Sequence, residues 1–207
     1  ADRRFRLLYL WLFLVCGAGM AVTGLGRELP ASLGADAVTA AFVIGFVNVG
    51  AGLGRLVGGG LADRFGAPAT IRATSAAMVA SILALLGSLG AGSLPMQAVA
   101  LLACGFSWGV AVSMMTYVCA KVWGAAAMAK SLAAVNTYSI FASLAGSFGA
   151  GLLAQATSFS VALGTVCALC VVGVAVGRPL GAAVEGRDGS REAGAVGAGD
   201  LVGRLDG

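Results

Sequence analysis

Between Leu7 and Gly177 the chain offers six apolar runs, each close to the length of helix needed to cross a bilayer, about 20 residues for a core about 30 Å thick. The runs cover 7–26, 38–60, 69–90, 96–118, 131–155 and 159–177. Most of the charge between them falls in short breaks: Arg27 to Ala37, a polar turn from Ala62 to Pro68, a Gly-Ser-Pro break from Gly90 to Pro95, an interfacial loop from Cys119 to Lys130, and Ala156 to Ser158. Arg3, Arg4 and Arg6 stand before the first run, which is too long for a signal-peptide core and reads as a spanning helix, with Tyr9 and Trp11 placed to anchor it at the interface. The expectation is an all-α membrane protein with a six-helix bundle over 1–177.

Composition agrees and removes other classes. The chain is 59% hydrophobic and 11% charged, against about 25% charged in soluble domains. It contains no histidine, and carboxylates are nearly absent from the apolar runs, so the usual acid, base and metal-ligand sets are missing. Neither an enzyme nor a cofactor is expected. The five cysteines lie in or beside apolar runs, where a thiol acts as a small hydrophobe. Cys167 and Cys170 have a redox-like spacing but no polar neighbours. No phosphate-cradling loop opens a helix, and no basic face interleaved with aromatics offers itself to nucleic acid.

From Arg178 the composition turns to Gly, Ala, Arg, Asp and Glu without an aromatic residue, which predicts a disordered tail over 178–207. Positive charge is one-sided. Arg3, Arg4, Arg6, Arg64, Arg72, Lys121, Lys130 and the tail's four arginines fall on one side of the expected bundle, and Arg27 alone on the other. Cytoplasmic loops carry such an excess, so both termini and the Asp63 turn are expected in the cytoplasm of a membrane that remains unassigned.

The turn after the second run reads G-x-L-A-D-R-F-G from Gly59 to Gly66. Glycines allow close helix approach, and Asp63 can cap the following helix or pair with an arginine. Gly59, Asp63, Arg64 and Gly66 resemble the loop motif that joins the second and third helices of each half of a major facilitator superfamily transporter. The family's basic pair after the second glycine is absent, since Ala67 and Pro68 stand there. Six helices with one such motif imply one six-helix half of that fold.

The opening run, RFRLLYLWLFLVCGAGMAVTG, resembles the start of the second half in the monocarboxylate and oxalate/formate antiporter-like branch. That branch also places an arginine eight residues before the loop Asp, as Arg55 stands before Asp63, with Asn48, Gly52 and Gly54 in comparable places. The resemblance implies a secondary transporter present as a C-terminal half or fragment. It would move a small organic anion, a monocarboxylate, by alternating access against a second six-helix half, upstream or in a second copy. An arginine at mid-membrane costs at least about 2.5 kcal/mol unless it faces protein, water or an anion, and its planar fork suits a carboxylate. The alternative is that Arg55 snorkels toward the surface and bonds backbone or Asp63.

Asn48 shares a helical face with Arg55, and Asn136 and Tyr138 in the fifth run offer neutral hydrogen bonds. Substrate-binding expectations therefore fall on Arg55, Asn48, Asn136 and Tyr138. Where the exchangers carry a second cation, this chain is apolar, around Leu144, so one carboxylate suits it better than a dianion. In the fourth run Trp108, Met114, Met115 and Tyr117 read as packing or anchoring residues. Gly50, Gly54 and Gly58, Gly105 and Gly109, and Gly146 with Ala150 recur every four residues and predict close helix packing. A second reading is a truncated transporter that serves as a non-transporting membrane assembly partner, in which Arg55 only orders packing.

Overall fold

The structure, a computed structural model, describes residues 2–26 and 28–205, apart from the side chains of 125 and 186–205. Among these residues every regular element is helical: α1 (Arg3–Leu25), the short α2 (Glu28–Ala31), α3 (Ala37–Phe65), α4 (Ala67–Ala91), α5 (Leu94–Gly124), α6 (Ala126–Ala156) and α7 (Phe159–Leu205). Six of them, all but α2, are long and apolar enough to span a membrane, α7 over Phe159–Glu185. The chain is thus an all-α, multi-pass membrane protein by length and composition. Arg27, the lone positive charge assigned to the far side, lies outside the described residues.

Local chemistry explains the boundaries. Asp2 caps α1 by accepting from the Arg4 N–H at 3.2 Å, and Asp36 caps α3 by accepting from Val38 N–H at 3.1 Å. The hydroxyl of Ser93 accepts from Met96 N–H at 3.4 Å where α5 begins, with Pro95 in its first turn.

Four expectations are corrected. The polar turn from Ala62 to Pro68 shrinks to one residue: α3 runs through Asp63 and Arg64 to Phe65, and α4 restarts at Ala67. Gly66 makes the join at φ 81° and ψ 153°, a region open essentially to glycine alone, and no side chain caps α4. Asp63 therefore ends one helix rather than opening the next. The interfacial loop from Cys119 to Lys130 is helical except at the break, where Gly124 takes φ 76° and ψ 170°. Glycine again supplies a positive-φ conformation at which one spanning helix reverses directly into another. The expected tail begins as packed helix, because α7 continues through Pro179, with Leu180 and Val184 buried, and is traced to Leu205. Finally, Trp11 is no interface anchor: it is fully buried and donates through Nε1 to Ser75 Oγ at 2.8 Å, which satisfies the indole inside the bundle.

Successive spans run antiparallel. At one end Phe5 of α1 meets Trp123 of α5 edge-on at 6.3 Å, and a Cβ at Gly181 of α7 would lie 2.9 Å from Pro68 of α4. Arg3, Arg4, Arg6, Asp63, Arg64 and Lys121 gather at that end. At the other, Leu29 of α2 is fully buried and its carbonyl accepts from Gln97 Nε2 of α5 at 3.4 Å.

The glycine stripes do what their spacing predicts. Any side chain at Gly50 or Gly54 would strike the backbone of Leu102 or Phe106, and one at Gly105 or Gly109 would strike that of Val47 or Ala51. The helices α3 and α5 thus touch backbone to backbone, a spacing that only small residues allow. Gly146 of α6 approaches Gly17 of α1 in the same way. Around it, Leu144–Phe148 winds as a π-turn, and Ser147 donates to the Met20 carbonyl of α1 at 2.7 Å.

Candidate functional site

Because α3 buries one side only, Ala40, Val43, Val47, Gly50, Ala51, Gly54, Gly58 and Ala62, with its middle pressed on α5, the rest of its circumference stays open. Asn48 and Arg55, seven residues apart, lie along the open part and are both exposed. Arg55 sits ten residues before the end of α3 at Phe65, roughly 15 Å along the axis. That places its Cα near half the depth of a bilayer core.

Three residues on three other helices lie at a similar depth: Cys16 on α1, Ser113 on α5 and Tyr138 on α6. Ser113 donates its hydroxyl to the Arg55 carbonyl oxygen at 2.9 Å, and a Cβ at Gly109, one turn earlier, would come within 2.9 Å of Arg55 N. The backbone of Arg55 is thereby held against α5, while the residue itself is exposed. Cys16 of α1 and Tyr138 of α6 are both buried. Among the described residues Arg55 makes no ion pair, with Asp63 or any other carboxylate. A guanidinium at this depth is thus exposed and, among the described residues, without a carboxylate partner.

An aromatic wall adjoins this point. Tyr138 is 2% exposed and meets Tyr9 edge-on at 6.5 Å, and Tyr9 in turn stacks on Phe5 at 6.0 Å. Thr137 Oγ1 donates to the Ala134 carbonyl at 2.8 Å and lies 3.5 Å from Tyr9 Oη. Asn136, two residues from Tyr138, is exposed on another side of α6, and residues two apart on a helix do not share a face. Leu144, where a second cation is lacking, is 65% exposed at the start of the π-turn. The structure therefore sets Asn48 two turns from Arg55 on the open side of α3, buries Tyr138 against Tyr9, and turns Asn136 from Tyr138.

Of the loop-motif residues, Gly59 is half-buried on α3, and Asp63 and Arg64 are exposed in its last turn. The Arg64 guanidinium lies 5.5 Å from the centre of the Phe65 ring. In α5, Met114 and Met115 are buried in the core, whereas Trp108 packs its ring onto Gly19 of α1 and its buried Nε1 finds no partner.

Sequence reading missed Ser113, which carried a usable signal, since Gly105, Gly109 and Ser113 continue one four-residue small stripe. No protein-family model matches the chain, and no curated protein matches it significantly.

Proposed function

We propose that the chain is one six-helix half of a secondary transporter of the major facilitator type, which carries a small organic anion, a monocarboxylate, by alternating access. The observation that supports this reading is Arg55: a mid-depth guanidinium, held by its backbone against α5, exposed, and without a carboxylate partner among the described residues. Its desolvation cost is offset when a carboxylate docks on its fork. A neutral hydroxyl such as that of Tyr138 suits the second oxygen of one carboxylate better than a second anionic group. Leu144, apolar and exposed, argues in the same direction against a dianion.

In this reading the site is completed by a second half. The exposed apolar residues of α3 and α6, among them Phe42, Leu56, Ile140, Phe141 and Phe148, face that half or lipid. The backbone-to-backbone seam of α3 and α5 is the rigid body that rocks. The basic end of the bundle, with Asp63 and Arg64, lies on the cytoplasmic side by its charge excess.

Uptake of labelled lactate, pyruvate, formate and oxalate into proteoliposomes tests the proposal. The expected outcome is uptake of the monocarboxylates when the second half, or a second copy, is paired with this one, abolished by Arg55→Ala. Undiminished uptake in that variant would remove Arg55 from the substrate's path. No uptake of any of the four anions, with stable self-association of the chain, would instead favour an assembly partner, the reading to which the broad apolar face of α6 also lends itself.

A further inference from the structure

Away from Arg55, a groove of about 450 Å³ runs between α4 and α7. Its walls are apolar, with Ala76, Ala80 and Leu83 on one side and Val171 and Val174 on the other, and Arg178 lines one end. A second arginine belongs to that end. Arg72 precedes Ala76 by four residues, so it stacks one turn along on the same face of α4. The antiparallel packing sets the two level, because a Cβ at Gly177 would lie 3.1 Å from Ile71 and one at Gly181 would lie 2.9 Å from Pro68. Both arginines are exposed, and among the described residues neither makes an ion pair; Asp63 and Glu185 leave them free. Arg72 is five residues into α4, roughly 8 Å from its start, which is the depth where a long side chain reaches the headgroups.

We propose that this groove binds an anionic phospholipid, with the phosphate held between Arg72 and Arg178 and an acyl chain laid along Ala76, Ala80, Val174 and Val171. The charge pattern carries the assignment. Two cations, neither paired among the described residues, stand at the mouth of a cleft whose other lining residues are uncharged, and basic clefts between spanning helices recruit anionic headgroups. An apolar trough leading from the pair toward the membrane interior matches an acyl tail and offers nothing to a free anion.

Native mass spectrometry of the full chain in detergent, with equal amounts of dioleoyl phosphatidylglycerol and dioleoyl phosphatidylcholine, tests this. The single-lipid adduct is expected to favour phosphatidylglycerol about tenfold. The double variant Arg72→Gln/Arg178→Gln brings the ratio near one, while Arg64→Gln, at the same end but outside the groove, keeps it. Filling the trough with Ala76→Phe/Ala80→Phe lowers lipid retention although both arginines remain. Excess inorganic phosphate leaves the adduct in place. Equal adducts of both lipids in the unaltered chain, a preference that survives the double Gln variant, or displacement by phosphate would each overturn the assignment.

Discussion

Ser113 and Arg55 are joined across two helices: the serine hydroxyl donates to the arginine's backbone carbonyl at 2.9 Å. The bond ties a charged residue of α3 to its close seam with α5. Gly109, one turn away, makes the approach possible, since a side chain there would meet Arg55 N and the Ala51 carbonyl.

Ser113→Ala is therefore expected to leave the fold intact and to cost about 0.6 kcal/mol, the usual worth of a hydrogen bond between membrane helices. Gly109→Leu, which pushes backbone against backbone, is expected to cost at least about 3 kcal/mol. Thermal unfolding in detergent separates the two. Equal stabilities would mean that the α3 to α5 seam is looser than its geometry.

Gly66 holds φ 81° and ψ 153° between α3 and α4. Gly66→Ala forces a Cβ into that region and is expected to destabilise by about 1–3 kcal/mol. Crowding does not explain the cost, because the nearest atom to a Cβ there is Pro68 Cδ at 3.7 Å. Replacing Gly60, which has a helical backbone and open space around it, by Ala is the control and should be neutral or slightly stabilising. Size-exclusion profiles after heating report the difference.

Asp36 caps α3, and its carboxyl is held below the ordinary value of 3.8 by a side-chain hydrogen bond from Thr39 and by the Val38 N–H. A lowered folded value means that the cap stabilises fully above the unfolded value and is lost as pH falls through the folded one. The unfolding temperature is expected to drop in that acid window, below about pH 4. Asp36→Asn, which keeps an acceptor without a titrating group, should flatten this part of the profile, and an unchanged profile would remove Asp36 from the acid response.

The comparison of sequence with structure divides along physical lines. Run length in a bilayer reports the number of spans directly, so six helices were legible, and the four-residue glycine stripes named the α3 to α5 seam. Helix ends were not. Lys121, Lys130 and Trp123 suggested a loop, yet one positive-φ glycine, Gly124, suffices to reverse the chain, and charged residues at the interface remain helical because their side chains reach water. Asp63 looked like a cap because capping residues are read by type, but the join needs only Gly66. Within the site, Arg55 was visible as a charge out of place. Its partner Ser113 comes from another helix, and no spacing within one helix could have paired them.

The central claim is that Arg55 keeps its charge at mid-depth because a carboxylate docks there. Equilibrium binding of labelled lactate to the purified chain tests it most directly, compared across the unaltered protein, Arg55→Gln and Arg55→Lys. The account predicts saturable binding that falls at least tenfold in Arg55→Gln, the loss of one charge-assisted pair, and is partly restored by Arg55→Lys, which keeps the charge without the fork. Saturable binding of equal affinity in all three would contradict it.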